Sequence, residues 1–92
     1  GGTIPTVYDL FNNYPNPFNP STKIKFALPN KDFVSLKIYD MTGRLITTLI
    51  NATFAAGTYD ITFDAKNLAS GIYFYKLETT GYSNVKKMIL VK

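Results

Sequence analysis

The sequence of 92 residues contains no cysteine, no histidine and no tryptophan. The absence of cysteine excludes disulfides, thiolate metal sites and cysteine nucleophiles, and the absence of histidine excludes imidazole ligands and the commonest general base. A chain of this length forms one hydrophobic core and has little room for a deep enclosed pocket. The composition therefore excludes most hydrolytic and redox chemistry and argues against a large cofactor.

Negative charge is also scarce, because ten Lys and Arg residues outnumber six Asp and Glu residues, giving a net charge of +4. The basic residues are dispersed along the chain, and only Lys86 and Lys87 are adjacent. Binding along a nucleic-acid backbone needs clustered positive charge, so this pattern favours solvent-facing strand positions. The longest purely aliphatic run, residues 88–91, is far too short to span a membrane. We expect a protein that neither binds nucleic acid nor spans a membrane.

The six acidic residues form no recognisable catalytic motif. Asp60 and Asp64 share one strand face but lie roughly 13 Å apart at about 3.3 Å per residue, beyond the spacing of paired glycosidase carboxylates. The sequence lacks an EF-hand loop, which leaves a surface calcium site formed by Asp40, Asp60 and Asp64 as the alternative. Turn capping and solvation explain these positions more simply. We predict no enzyme activity, no cofactor and no metal.

Apolar residues that alternate with polar ones predict antiparallel strands through most of the chain. Turn signals recur about every ten residues between short β-branched or aromatic runs, and Asp40 and Gly43 occupy the first and fourth places of a type I turn. No segment has a helical period. The predicted strands lie in residues 22–28, 33–40, 43–50, 57–64, 71–79 and 85–92. This pattern predicts an all-β fold, an antiparallel β-sandwich of about seven strands.

Residues 8–20 combine the turn-forming residues Pro and Asn with several aromatic residues. Such a segment can fix turns while pinning aromatic rings onto the edge of a core, whereas a disordered linker is poor in aromatic residues. We therefore place one domain at residues 8–92. Residues 1–7 are assigned to a linker, in which Gly1 and Gly2 resemble a cloning remnant.

Within this segment lies the heptapeptide YPNPFNP, which comprises Tyr14, Pro15, Asn16, Pro17, Phe18, Asn19 and Pro20. One interpretation is structural: the prolines fix a turning edge of the sandwich while Tyr14 and Phe18 pack inward. The other is a recognition epitope in a preformed extended conformation. We favour the structural interpretation.

Aromatic residues could also form a sugar-stacking platform. Tyr73 and Tyr75 share one face of a predicted strand and Phe74 takes the other, but one of these two faces must belong to the core. Because a tryptophan-free domain needs most of its Phe and Tyr residues as core, we rank a carbohydrate-binding function second.

Four stretches occur in an order that goes beyond composition: residues 14–20, IYDMTGR at 38–44, AAGTYDITFDAKNLASGIYFYKL at 55–77 and KKMILVK at 86–92. Together they resemble the type A C-terminal sorting domains of proteins exported by the type IX secretion system of the Bacteroidetes and related phyla. The resemblance spans residues 10–92. Asp40, Gly43 and Arg44 belong to the second stretch, which we regard as a structural motif together with YPNPFNP.

The resemblance implies an Ig-like β-sandwich at the end of a larger secreted protein. Such a domain crosses the periplasm, is recognised by the outer-membrane translocon and is usually removed by a sortase-like signal peptidase. The N-terminally fused cargo is then released or attached to the cell surface, and the domain itself is expected to be monomeric. In the family the signal is concentrated in the last two strands and the terminus, and the end at Lys92 agrees with that pattern. The corresponding residues here are Gly71, Tyr73, Lys86, Lys87, Met88, Leu90 and Lys92.

The last predicted strand carries lysines at both ends and four consecutive apolar residues between them. Such a strand is either buried on both faces or keeps one face for a partner. At a sheet edge it could receive a strand of the translocon by β-augmentation. Alternatively, Met88 and Leu90 fill the core while the lysines keep the edge soluble.

Three classes of function therefore remain: a sorting domain, a surface-binding or carbohydrate-binding module, and a module of an extracellular assembly. Fold alone does not separate them, because β-sandwiches serve all three. The order of the motifs favours sorting. If the domain is cleaved from its cargo, we expect the cleavage point in residues 2–8, where the chain is least committed to a sheet.

Overall fold

The computed structural model of the protein describes residues 4–92, so the predicted remnant at Gly1 and Gly2 lies outside the described residues. Within this range the chain forms β-strands and no helix, and none of it could cross a membrane as a helix. The strands are β1 (Asp9–Leu10), β2 (Ser21–Leu28), β3 (Asp32–Asp40), β4 (Leu45–Phe54), β5 (Gly57–Asp64), β6 (Gly71–Glu78) and β7 (Ser83–Leu90).

The strands form two antiparallel sheets. One has three strands in the order β1-β2-β5, and the other has four in the order β4-β3-β6-β7. This arrangement confirms the predicted all-β sandwich. The short β1 was not predicted, because it consists only of Asp9 and Leu10, which pair with β2 at the start of the Pro- and Asn-rich segment.

The inner faces of the two sheets meet in one core, as the alternating pattern predicted. In β2, Ile24, Phe26 and Leu28 are fully buried. Residues from β3, β6 and β7 complete the layer: Val34, Leu36, Ile38, Tyr75, Leu77, Met88 and Leu90. Burying each large apolar side chain contributes roughly 1.5–3 kcal/mol relative to exposure, so this layer dominates the stability of the fold.

Three aromatic rings close the side of the sandwich where β4 leads into β5. The Phe54 ring lies edge-on to Tyr59 at a centroid distance of 4.9 Å, and both rings contact Phe26. This packing extends β4 to Phe54, whereas the predicted strand ended at residue 50. The alternating pattern of β4 is weak because β3 and β4 change register at two points.

The last strand starts and ends two residues earlier than predicted. Ser83 pairs with Glu78 to close the β6-β7 hairpin, which brings the N-terminal boundary forward. At the other end, the Val91 amide donates a hydrogen bond to the Phe18 carbonyl at 3.0 Å. The chain therefore leaves the β6 ladder after Leu90 and contacts the N-terminal segment instead.

Candidate recognition surface

The strand β7 lies at the edge of the four-stranded sheet and buries only one of its faces. Met88 and Leu90 point into the core and are almost completely buried. Lys87 is exposed on the opposite face, where Ile89 is half-buried and Val85 is 48% exposed. The sequence left open whether this strand is buried on both faces or keeps one face for a partner. The structure has the second arrangement, because one face of β7 is accessible.

The predicted recognition residues of β6 and β7 fall into two groups. Gly71 pairs with Leu90, and Tyr73 pairs with Met88, in neighbouring positions of the hairpin. Tyr73 is largely buried, and its hydroxyl donates a hydrogen bond to the Ala69 carbonyl at 2.7 Å. Gly71 has φ +155°, a conformation that other residues rarely adopt. The residues of this first group therefore determine the conformation of the β6-β7 hairpin.

The second group consists of the lysines. Lys86 is half-buried on the side of β7 that faces the core, where it pairs with Tyr75, whereas Lys87 and Lys92 are exposed. The Lys92 amide donates a hydrogen bond to Ser70 Oγ at 3.0 Å, and its ammonium group donates one to the Lys66 carbonyl. Lys92 is thereby tied to the loop that precedes β6, apart from the two adjacent lysines.

The YPNPFNP segment covers the C-terminal end of the β7 edge at Ile89. Asn16 Oδ1 accepts a hydrogen bond from the Ile89 amide at 3.0 Å, and the Phe18 amide donates to the Ile89 carbonyl at 2.9 Å. Phe18 is 2% exposed and packs against Phe63. These contacts protect a sheet edge that would otherwise present unpaired backbone groups.

Tyr14 does not pack inward, and this part of the structural interpretation is wrong. Its side chain is 81% exposed. Two backbone hydrogen bonds of 3.0 Å join Tyr14 to Lys23, and directly opposed residues of an antiparallel pair point to the same side. Because Lys23 points outward from β2, Tyr14 does so too.

Two prolines of the heptapeptide, Pro15 and Pro20, hold the segment in place through their carbonyl groups. The Pro15 carbonyl accepts a hydrogen bond from the Thr22 hydroxyl at 2.8 Å, and the Pro20 carbonyl accepts one from the Ala65 amide at 2.9 Å. Pro17 and Asn19 are exposed on either side of the buried Phe18.

A buried tyrosine anchors the start of this segment to β6. The Tyr75 hydroxyl accepts a hydrogen bond from the Asn13 amide at 2.8 Å and donates one to the Phe11 carbonyl at 2.7 Å. Burial raises the pKa of Tyr75 to about 12, so the hydroxyl stays protonated and keeps its donor. The Asn13 side chain also donates a hydrogen bond to Thr22 Oγ1 at 3.0 Å. Asn13 therefore connects Tyr75 on β6 with Thr22 on β2.

The β7 edge is open at Lys87. The backbone groups of Ile89 point away from β6, and in an antiparallel strand every second residue points the same way. Val85 and Lys87 therefore also face the edge. The Val85 amide bonds to Asn84 Oδ1 at 2.8 Å, whereas no hydrogen bond among the described residues covers Lys87 on this side.

The Asp40 turn forms as predicted, with the Gly43 amide bonded to the Asp40 carbonyl at 3.0 Å. The Asp40 carboxylate accepts hydrogen bonds from the hydroxyl and amide of Thr42 and from the amide of Arg44. The Thr42 hydroxyl contributes most to lowering the pKa of Asp40 to about 2. Arg44 adds an exposed ion pair at 3.1 Å, which stabilises the turn little.

A second acidic residue, Asp32, holds the N-terminal end of the domain in place through Tyr8. Its carboxylate accepts hydrogen bonds of 2.7 Å from the hydroxyls of Tyr8 and Thr80, and the Tyr8 ring stacks on Tyr82. These bonds, the one from Tyr8 first, lower the pKa of Asp32 to about 2. The sequence did not predict this cluster, because the partners of Asp32 lie 24 and 48 residues away.

The other candidate sites of the sequence do not assemble. Among residues 4–92, no group of three or more acidic side chains could hold a metal ion, so Asp40, Asp60 and Asp64 do not form the alternative calcium site. Tyr73 and Tyr75 belong to the core, which removes them from any sugar-stacking platform. Phe74 is the half-exposed ring of that strand.

Comparison with known proteins gives a family match over most of the chain. The model of a family described as the secretion system C-terminal sorting domain matches residues 12–92. A search of the curated proteins found no match.

Two solved structures from Porphyromonas gingivalis contain a similar domain. Dimeric latent PorU matches with a TM-score of 0.70 and 25% identity, over 92% of this chain and 9% of PorU. PorZ, described as an essential bacterial surface component of the type-IX secretion system, matches with a TM-score of 0.63 and 24% identity, over 90% of this chain and 11% of PorZ. The chain thus spans about a tenth of each of these proteins.

Proposed function

The chain belongs to the family of secretion system C-terminal sorting domains, which are export signals of the type IX secretion system, and we propose how it acts. As a sorting signal the domain itself is non-catalytic. It marks a fused cargo for the cell surface or the extracellular space through the secretion machinery. The observation that carries this function is the family match over residues 12–92, which covers nearly the whole sandwich.

We propose that the cargo lies on the N-terminal side and crosses the periplasm before the outer-membrane translocon binds the domain. A sortase-like signal peptidase then cuts upstream of Tyr8. Two observations support this position: Tyr8 is fixed by Asp32 and Tyr82, whereas Ile4 and Val7 are 65% and 63% exposed. A protease needs accessible backbone that is not committed to a sheet. The domain acts as a monomer and does not bind nucleic acid.

Recognition by the translocon uses the accessible lysines of the terminal hairpin. Lys86 and Lys87 attract a negatively charged partner, and the open edge at Lys87 offers backbone groups for pairing. Pairing along the rest of β7 would require Asn16 and Phe18 to leave Ile89. The buried members of the predicted set, Gly71, Tyr73, Met88 and Leu90, act indirectly by keeping the hairpin in shape.

A reporter fused in front of the domain tests this function in cells that carry the type IX machinery. We expect export of the wild-type fusion and reduced export of the Lys86→Ala, Lys87→Ala double variant at an unchanged melting temperature. The matched control removes two exposed lysines elsewhere, Lys23 and Lys31. Equal export of both double variants would contradict the role of the adjacent lysines.

Deleting residues 85–92 is a weaker experiment than these substitutions. The deletion also removes Met88 and Leu90, which are fully buried in the core. Loss of two such side chains costs several kcal/mol and unfolds part of the sandwich. Lost export of the truncated fusion would therefore not separate lost recognition from lost folding.

A further inference from the structure

The outer face of the four-stranded sheet carries a group of side chains that point away from the core. We name it the outer patch and define it by Lys37, Tyr39, Phe74, Lys76, Lys87 and Ile89. These residues lie on adjacent strands, since Tyr39 pairs with Phe74 and Phe74 pairs with Lys87.

The lysines of the outer patch lie close enough to repel one another, which destabilises the sheet. Lys37 on β3 is directly opposite Lys76 on β6, and Lys87 on β7 is diagonal to Lys76. Directly opposed like charges destabilise an antiparallel pair. Glu78 lies 3.7 Å from Lys76 and is the one acidic side chain on this face of β3, β4, β6 and β7. The three lysines are therefore only partly compensated.

The outer face of the other sheet shows the opposite arrangement. Lys25 on β2 is directly opposite Asp60 on β5. Lys23 is opposite Thr62, so that Asp60 and Asp64 are its diagonal neighbours. Asp9 on β1 pairs with Ala27 and lies on the same face, so two lysines face three aspartates on this sheet. The excess positive charge therefore lies on the sheet that contains β7.

Apolar side chains fill the space between the lysines. Tyr39 and Phe74 lie side by side and are half-buried, as are Ile72 and Ile89 in the next row. At the ends of the rows, Leu45 is 49% and Val85 is 48% exposed. An aromatic centre with charged residues around it is typical of a protein interface.

We propose that the outer patch is the docking surface for an acidic protein of the secretion machinery, an inference that rests on the proposed function. Carboxylates of this partner would lie against Lys37, Lys76 and Lys87 and relieve their mutual repulsion. Apolar side chains of the partner would cover Tyr39 and Phe74. The outer patch therefore lies on a face of the sheet, and binding there adds to the backbone pairing proposed at the Lys87 edge.

The substitution Lys37→Glu separates binding from stability. It places a carboxylate opposite Lys76, so the melting temperature of the domain should rise by about 1–5 °C. Export of the fused reporter should fall at least about tenfold, because the new charge repels an acidic partner. The matched control is Lys23→Glu on the other sheet, which makes the same change in net charge and should export normally.

The inference is overturned if the Lys37→Glu fusion is exported like the wild type, or if both variants lose export equally. If Lys37→Glu lowers the melting temperature, Lys37→Gln replaces it and should still reduce export. Binding of the wild-type domain to phosphatidylglycerol vesicles, lost in Lys37→Glu, would indicate a lipid surface and would also overturn a protein partner. A wild-type fusion that is not exported contradicts the proposed function itself, which distinguishes the two failures.

Discussion

Replacing Tyr75 by Phe tests how the N-terminal segment is held on the sandwich. The substitution removes one hydroxyl and keeps the ring, so the core volume is nearly unchanged. It leaves the Asn13 amide and the Phe11 carbonyl without the partners that lie at 2.8 and 2.7 Å. A buried donor or acceptor without a partner costs about 1–3 kcal/mol. We expect a loss of about 3 kcal/mol in the free energy of unfolding.

For a domain of this size, that loss lowers the melting temperature by about 12–24 °C. Calorimetry or urea unfolding measures it, and the backbone amides of Ile89 and Val91 should exchange faster once the segment loosens. Tyr59→Phe is the control, because its hydroxyl makes one exposed hydrogen bond to the Ala55 carbonyl. A Tyr75→Phe variant as stable as Tyr59→Phe would refute the anchoring role.

Three further predictions concern single positions. Phe18→Ala should cost about 3–5 kcal/mol, whereas Tyr14→Ala should stay within about 0.5 kcal/mol of the wild type; similar urea midpoints would contradict the opposite placement of these rings. Asp32 and Asp40 have pKa values lowered to about 2 from the ordinary 3.8, so their stabilising effect is complete above pH 4. The melting temperature should fall between about pH 4 and pH 2 as the carboxylates are protonated in the unfolded chain, and an unchanged value at pH 2 would argue against both clusters. Gly43→Ala should cost about 1–2 kcal/mol because φ is +88° there, and thermal unfolding at wild-type temperature would be inconsistent with this strain.

Local patterns were sufficient to predict most of the fold. Alternation placed Ile24, Phe26 and Leu28 on the buried face, and the Asp40 turn formed where Asp and Gly indicated it. The strand boundaries were less predictable where contacts between residues far apart in the sequence determine them. Phe54 extends β4 because it packs on Phe26, a partner 28 residues earlier, and no periodicity in β4 reveals this contact.

The candidate recognition surface was only partly predictable. Lys87 was identified from its place in the terminal strand, and the structure exposes it. The closure of the β7 edge could not be predicted, because Asn16 and Ile89 lie 73 residues apart. Periodicity also cannot place the lysines of β3 and β6 side by side, since the register of Lys37 with Lys76 depends on how two distant strands pair. These unpredicted contacts carry the proposals on recognition.

The most direct test of the central claim is the fraction of a fused reporter found outside the cell. The fusion carries the wild-type domain and is expressed in two strains that differ only in the outer-membrane translocon of the type IX system. We predict that the reporter reaches the cell surface or medium in the strain with the translocon and remains in the periplasm in the other. The same distribution in both strains would contradict the assignment of this domain as a type IX sorting signal.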